Sequence, residues 1–95
     1  SMAVHFNQEY SKNIRVNAIA PGFLLTQQNY YLMVDEQTGG NTPRGEKVLN
    51  KTPMDRFGEP SELVGGVIFL CSEAAKFVNG VVLPIDGGFN AYSGV

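Results

Sequence analysis

The chain alternates short apolar runs with breaker-rich connections, and one run organises the rest. It reads I-R-V-N-A-I-A-P-G-F-L-L-T from Ile14 to Thr26. Ile14, Val16, Ala18 and Ala20 alternate with Arg15, Asn17 and Ile19, so both faces are close to apolar. That pattern predicts a buried strand of a parallel sheet. Pro21 has no N–H to offer a ladder, and Gly22 lets the backbone turn and approach a ligand closely. Thr26 then supplies an N-cap for a following helix. Ligands of open α/β sheets sit just beyond the carboxyl ends of the strands, which makes 21–26 one wall of a binding crevice.

Met2 to about Tyr10 carries Val4 and Phe6 among polar residues and reads as the last turns of a helix. It opens with no capping sequence, so the chain is expected to be cut from something longer. Ser11-Lys12-Asn13 links it to the strand. A helix followed at once by a buried strand is the second half of a β-α-β crossover.

Downstream of Thr26, residues Tyr30 to Met33 fall in a helix-length run. Asp35 to Asn41 is polar and contains Gly39-Gly40, which predicts a mobile loop over 34–42. Thr42-Pro43 reads as an N-cap with proline at the first helical position, opening a short helix to about Asn50. Thr52 to Gly58 is a second connection. Glu59-Pro60-Ser61-Glu62 opens the clearest helix, in which Leu63, Val64, Val67, Ile68, Leu70 and Cys71 form a wide apolar stripe. Gly65-Gly66 allows close packing there, and Cys71 reads as a core residue. Gly80 leads into V-V-L-P-I, a second buried strand that Pro84 assigns to a sheet edge. Asp86-Gly87-Gly88 ends it, as a turn or as an anchor for the tail. Two buried strands joined by helices predict a parallel pair in an α/β layer structure.

Composition narrows the class. Ninety-five residues make at most one small domain. The net charge of −2 offers no field to nucleic acid or anionic lipid, so neither partner is expected. One cysteine leaves no disulfide and no multi-cysteine metal site. With no apolar stretch near the roughly 20 residues of a membrane span and no secretory signal, a cytoplasmic globular chain is expected.

Four segments in order carry a resemblance: I-R-V-N-A-I-A-P-G-F-L-L-T, T-P-M-D-R-F-G-E-P-S-E-L-V, F-L-C-S-E-A-A-K-F-V-N-G and L-P-I-D-G-G-F. Together they resemble the C-terminal part of the short-chain dehydrogenases/reductases, from the end of the long central helix onward. The T-P-x-x-R-F-G loop and the tail D-G-G-F-N-A-Y-S-G-V are most similar to the sugar-acid group of that family, the D-mannonate oxidoreductase (fructuronate reductase) type. The resemblance implies that residues 1–95 are the C-terminal part of one Rossmann-like, doubly wound parallel sheet, holding its last two strands and their flanking helices. It implies NAD or NADP as cofactor and a sugar acid or polyol as substrate. Pro21, Gly22 and Leu24 would hold the nicotinamide carboxamide through backbone groups, and Thr26 through its hydroxyl.

The same resemblance places the glycine-rich dinucleotide loop and the catalytic serine, tyrosine and lysine upstream, so no catalytic residue is expected in this chain. Tyr10 and Lys12 do not replace them, because that chemistry needs the pair four apart on one helix face. Segment 27–53 corresponds to the substrate lid. Arg44, Lys47, Lys51 and Arg56 bring cations there for a carboxylate, arginine being the natural bidentate partner. Tyr30 and Tyr31 line the pocket or pack on a neighbouring helix, and His5 is a packing or surface residue. The chain alone is expected to be inactive and to form a homo-oligomer, a tetramer at full length. The alternative is a non-catalytic binding or assembly module of the same fold.

Overall fold

The Ser1 hydroxyl accepts the Val4 N–H at 3.3 Å and starts α1, Met2–Glu9. The cap that the sequence was expected to lack is therefore present. The computed structural model describes residues 1–92. Two strands, β1 (Ala18–Pro21) and β2 (Val82–Ile85), pair in parallel, with Ala18 opposite Val82 and Pro21 opposite Ile85. Between them lie α2 (Tyr30–Met33), α3 (Pro43–Asn50) and α4 (Val64–Cys71), with short 3₁₀ turns at Pro60–Leu63 and Glu73–Ala75. The expected α/β layer with a parallel pair is observed.

β1 is shorter than the hydrophobic run, and asparagine side chains are the reason. The Val16 N–H donates to Asn79 Oδ1 at 2.9 Å, and the Val81 N–H donates to Asn17 Oδ1 at 3.0 Å. Asn17 Nδ2 in turn donates to the Val78 carbonyl at 3.1 Å. Asn7 Nδ2 donates to the carbonyls of Ser11 and Ile14, and its Oδ1 accepts from Asn79 Nδ2 at 2.6 Å. Side-chain amides thus alternate with backbone bonds just before the strand, where the Gly80 N–H still donates to the Val16 carbonyl at 2.9 Å. Nor is the strand deeply buried: Ala18 and Pro21 are exposed, and Ile19 and Ala20 are half-buried.

Segment 27–53, the expected lid, has its own small core. Met33, Val34 and Val48 are buried together, with Leu25 and Phe57 packed on them. Thr42 caps α3 as expected, accepting the Gly45 N–H at 3.1 Å with Pro43 in the first turn. A Cβ on Gly45 would collide with the Met33 carbonyl, so glycine is what lets α3 lie against α2. The stretch expected to be a mobile loop forms a hydrogen-bonded turn whose residues 36–41 are exposed. Val34 bridges Asn41, the Asp35 N–H donates to the Gly40 carbonyl at 2.7 Å, and the Gly39 N–H donates to the Asp35 carbonyl at 2.8 Å. Gly39 supplies the left-handed φ of 74° that closes it.

α4 meets the sheet at Gly66, where a Cβ would run into Ile85 and approach Ile19. Leu70 is buried, but Val64, Val67, Ile68, Phe69 and Cys71 are exposed. Cys71 is exposed rather than a core residue here, on the rim of an open groove that α4 shares with Arg15, Asn17, Ala18 and Ile19. The radius of gyration is 17.1 Å, against about 12 Å for a compact domain of this length.

Candidate functional site

Both strands end at the same cleft. The Gly22 N–H donates to the Ile85 carbonyl at 3.0 Å, and a Cβ on Gly22 would stand 2.6 Å from Asp86 Cα. The close approach expected of Gly22 is thus made to a neighbouring strand end. Asp86 accepts the N–H groups of Gly88 (3.0 Å) and Asn90 (2.8 Å) and so organises the turn after β2. The cleft, about 150 Å³, is lined by Gly22, Phe23 and Leu24 on one side and by Thr52, Met54, Arg56 and Gly58 on the other.

Gly58 holds the 22–26 loop in place. Its N–H donates to the Phe23 carbonyl at 3.0 Å, and its own carbonyl accepts the Leu25 N–H at 3.0 Å. A Cβ there would stand 2.7 Å from Leu24 Cδ2, so a larger residue would push that side-chain end aside. Asn29 holds the other end of the loop. Its Nδ2 donates to the Leu24 carbonyl at 2.7 Å, its Oδ1 accepts the Thr26 N–H at 2.9 Å, and its N–H donates to Thr26 Oγ1 at 3.3 Å. Asn29, not Thr26, is the N-cap residue of α2; Thr26 caps the turn before it. Neither Asn29 nor Gly58 stood out in the sequence. The T-x-x-N spacing of Thr26 and Asn29 is the signal that could have found the first.

The four residues expected at a cofactor site do not share one surface. Gly22 and Leu24 line the cleft, Pro21 sits exposed in register with Ile85, and Thr26 lines a separate open groove with Tyr30 and Glu36. Of the four, Leu24 and Thr26 keep a donor uncommitted among the described residues, as does the neighbouring Phe23 N–H. The Leu24 N–H has no acceptor, and the Thr26 hydroxyl, although it accepts from Asn29, keeps its own proton to give.

The cations expected at the lid divide. Arg56 is engaged: Nη1 and Nη2 reach Glu62 Oε1 and Oε2 at 2.7 and 2.8 Å. The Glu59 N–H adds to Glu62 Oε1 at 3.0 Å. These bonds, the Arg56 fork first, pull the Glu62 carboxyl down from 4.5 to about 2. Arg56 is therefore not the free carboxylate fork expected from the sequence. Arg44, Lys47 and Lys51 lie at i, i+3 and i+7 on and just after α3, along a groove that Phe23 and Phe89 close edge to face at 5.2 Å. Tyr30, Tyr31 and His5 are exposed. Among the described residues no group of three or more His, Cys, Asp or Glu side chains is placed to hold a metal ion, and no helix is long and apolar enough to cross a membrane.

A family model described as enoyl-(acyl carrier protein) reductase matches residues 1–90. The chain belongs to the short-chain dehydrogenase/reductase family. It is similar to a solved Haemophilus influenzae protein described as a candidate D-mannonate oxidoreductase with bound NAD. The two share 55% identity over 99% of this chain and 32% of that one, at a TM-score of 0.84. The structure of a 2-keto-3-deoxy-D-gluconate dehydrogenase from Streptococcus agalactiae superposes at a TM-score of 0.85 with 37% identity, over 99% of this chain and 36% of that one. A 2-dehydro-3-deoxy-D-gluconate 5-dehydrogenase of Escherichia coli is 41% identical over 90% of this chain and 31% of its own length. The chain spans about a third of the length of the relatives it matches.

Proposed function

We propose that these residues form the nicotinamide-holding end and substrate lid of an NAD- or NADP-dependent dehydrogenase acting on a sugar acid or polyol. The observation that carries the reading is the uncommitted Leu24 N–H at the carboxyl ends of the paired strands. Thr26, two residues on, offers a second donor. The Leu24 N–H suits a carboxamide oxygen entering the cleft, and the Thr26 hydroxyl, which opens on the neighbouring groove, suits a second polar atom of the same group reaching over the loop. Pro21 and Gly22 bring the loop to that point by ending the strand. A nicotinamide dinucleotide supplies the hydride chemistry when bound. What this chain does is fix the ring by its carboxamide, which contributes through orientation.

Arg44, Lys47 and Lys51, beside Phe23, support a substrate that carries a carboxylate, and D-mannonate or fructuronate is the type we favour. The catalytic serine, tyrosine and lysine come from outside this chain, and residues 1–95 alone are inactive. The exposed apolar face of α4 supports assembly into a homo-oligomer.

The test is Thr26→Ala in the full protein that carries this chain. Loss of one hydroxyl hydrogen bond, about 1 kcal/mol, lowers hydride transfer about fivefold and leaves the sugar-acid KM nearly unchanged. Unchanged kinetics in that variant, or turnover by the isolated chain with NAD(P), would overturn the assignment.

A further inference from the structure

The wall of the cleft opposite Leu24 carries an ion pair for which the carboxamide reading has no use. We infer that Arg56, held by Glu62, is a positioning residue that aims and strengthens the Leu24 N–H through two peptide groups in series. The inference rests on Leu24 being the carboxamide donor.

Arg56 Nη1 donates to the Phe57 carbonyl at 3.2 Å. That carbonyl belongs to the same peptide unit as the Gly58 N–H, which donates to the Phe23 carbonyl at 3.0 Å. The Phe23 carbonyl in turn shares its peptide unit with the Leu24 N–H. No peptide bond among the described residues is cis, and in a trans unit the C=O and N–H point in opposite directions. The guanidinium and the two peptides therefore run head to tail and end on a donor that has no acceptor of its own. Hydrogen bonds in such a chain polarise one another, by roughly 10–30% per bond. Here the first donor is a cation, which polarises the series further.

Glu62 fixes the head of the series. Its two oxygens grip the guanidinium fork to fork, and the Glu59 N–H holds the carboxylate from the backbone side. The side chains are half-exposed, where an ion pair adds little to stability. Its effect here is directional: it decides where the Phe57–Gly58 peptide points, and through it the Phe23–Leu24 peptide.

The experiment uses the full protein with isotope-labelled leucine, as wild type, Arg56→Met, Glu62→Gln and Arg56→Lys. Two quantities are read: the Leu24 amide-proton shift without cofactor, and the affinities for NAD and for ADP-ribose, which lacks the nicotinamide. Arg56→Met should move the Leu24 amide proton upfield and weaken NAD by less than about fivefold, the worth of one whole hydrogen bond, while ADP-ribose binds as before. Glu62→Gln, which keeps its shape if Arg56→Met misfolds, should act in the same direction less strongly. Arg56→Lys, with charge but no fork, should recover only part of the shift. An unmoved Leu24 amide in Arg56→Met and Glu62→Gln overturns the relay. A moved amide with NAD and ADP-ribose responding alike keeps the relay and removes Leu24 from the carboxamide.

Discussion

The α2–α3 segment and α4 treat apolar side chains in opposite ways. In the first, Met33 is 4% exposed and Val48 8%, whereas on α4 Val64 is 53% exposed and Ile68 62%. The reason lies in where the partners come from. α2 and α3 are joined by a nine-residue connection, so the loop that brings them together is short and its closure costs little entropy. The bare side of α4 has no partner at all among residues 1–92. The α2–α3 segment can hold its shape from local contacts, while α4 presents a surface that only more distant chain, or another molecule, can cover.

The sharpest way to break this contrast is a pair of truncations in the isolated chain. Met33→Ala should cost about 2–5 kcal/mol, the range for emptying a packed core site. Ile68→Ala should fall within about 0.5 kcal/mol, as surface changes do. Urea midpoints measure both. Equal costs would mean that α4 is covered in solution, and light scattering at the same concentration would then show the partner copy.

A second pair uses glycine. Gly45→Ala places a Cβ against the Met33 carbonyl and should destabilise the α2–α3 segment by about 1–3 kcal/mol. Gly65→Ala has nothing within 4 Å of its new Cβ, and should stabilise α4 by about 0.8–1.0 kcal/mol through helix propensity. Thermal melts of the two variants should move in opposite directions.

The smallest effect is acid titration at the join between the two regions. Glu62 is held at about 2 against an ordinary 4.5, so the native state binds fewer protons than the unfolded chain between those values. Its contribution is whole above pH 4.5 and fades as pH falls toward about 2. The part of the stability slope that belongs to Glu62 should vanish in Glu62→Gln, as stability measured across that interval in both proteins will show.

The parallel pair, the Thr42-Pro43 cap and the turn at Asp86 were legible because each is local or rests on a simple period. The start of β1 was not. Hydrophobicity ran on to Ile14, but the bonds that interrupt the ladder reach from Val16 and Asn17 to Val78, Asn79 and Val81, more than sixty residues away. On α4 the stripe marked an apolar face correctly and said nothing of what lies over it, which is why Cys71 was misplaced. At the candidate site, the strand end marked 21–26 as a cleft wall, which Gly22 and Leu24 line, whereas Leu24 itself was singled out by the resemblance alone. Asn29 and Gly58 act through bonds to backbone groups, and Glu62 through the Arg56 side chain, and none of these leaves a period in the sequence. Arg56 looked like a free cation because its partner six residues on was read only as part of a helix start.

The asparagine cluster before β1 has a consequence of another kind. Asn7 gives both of its N–H groups to Ser11 and Ile14, and so must show its oxygen to Asn79. Asn79 must then answer with nitrogen and turn its own oxygen to Val16. Asn17 works in the same two-sided manner between Val78 and Val81. Every amide in the cluster is read in one orientation only, like words in a sentence that cannot be reversed. Asparagine to aspartate, among the mildest exchanges in size, is therefore a change of sense at all three positions: at Asn79 it would set oxygen against oxygen across a gap now closed by a 2.6 Å bond.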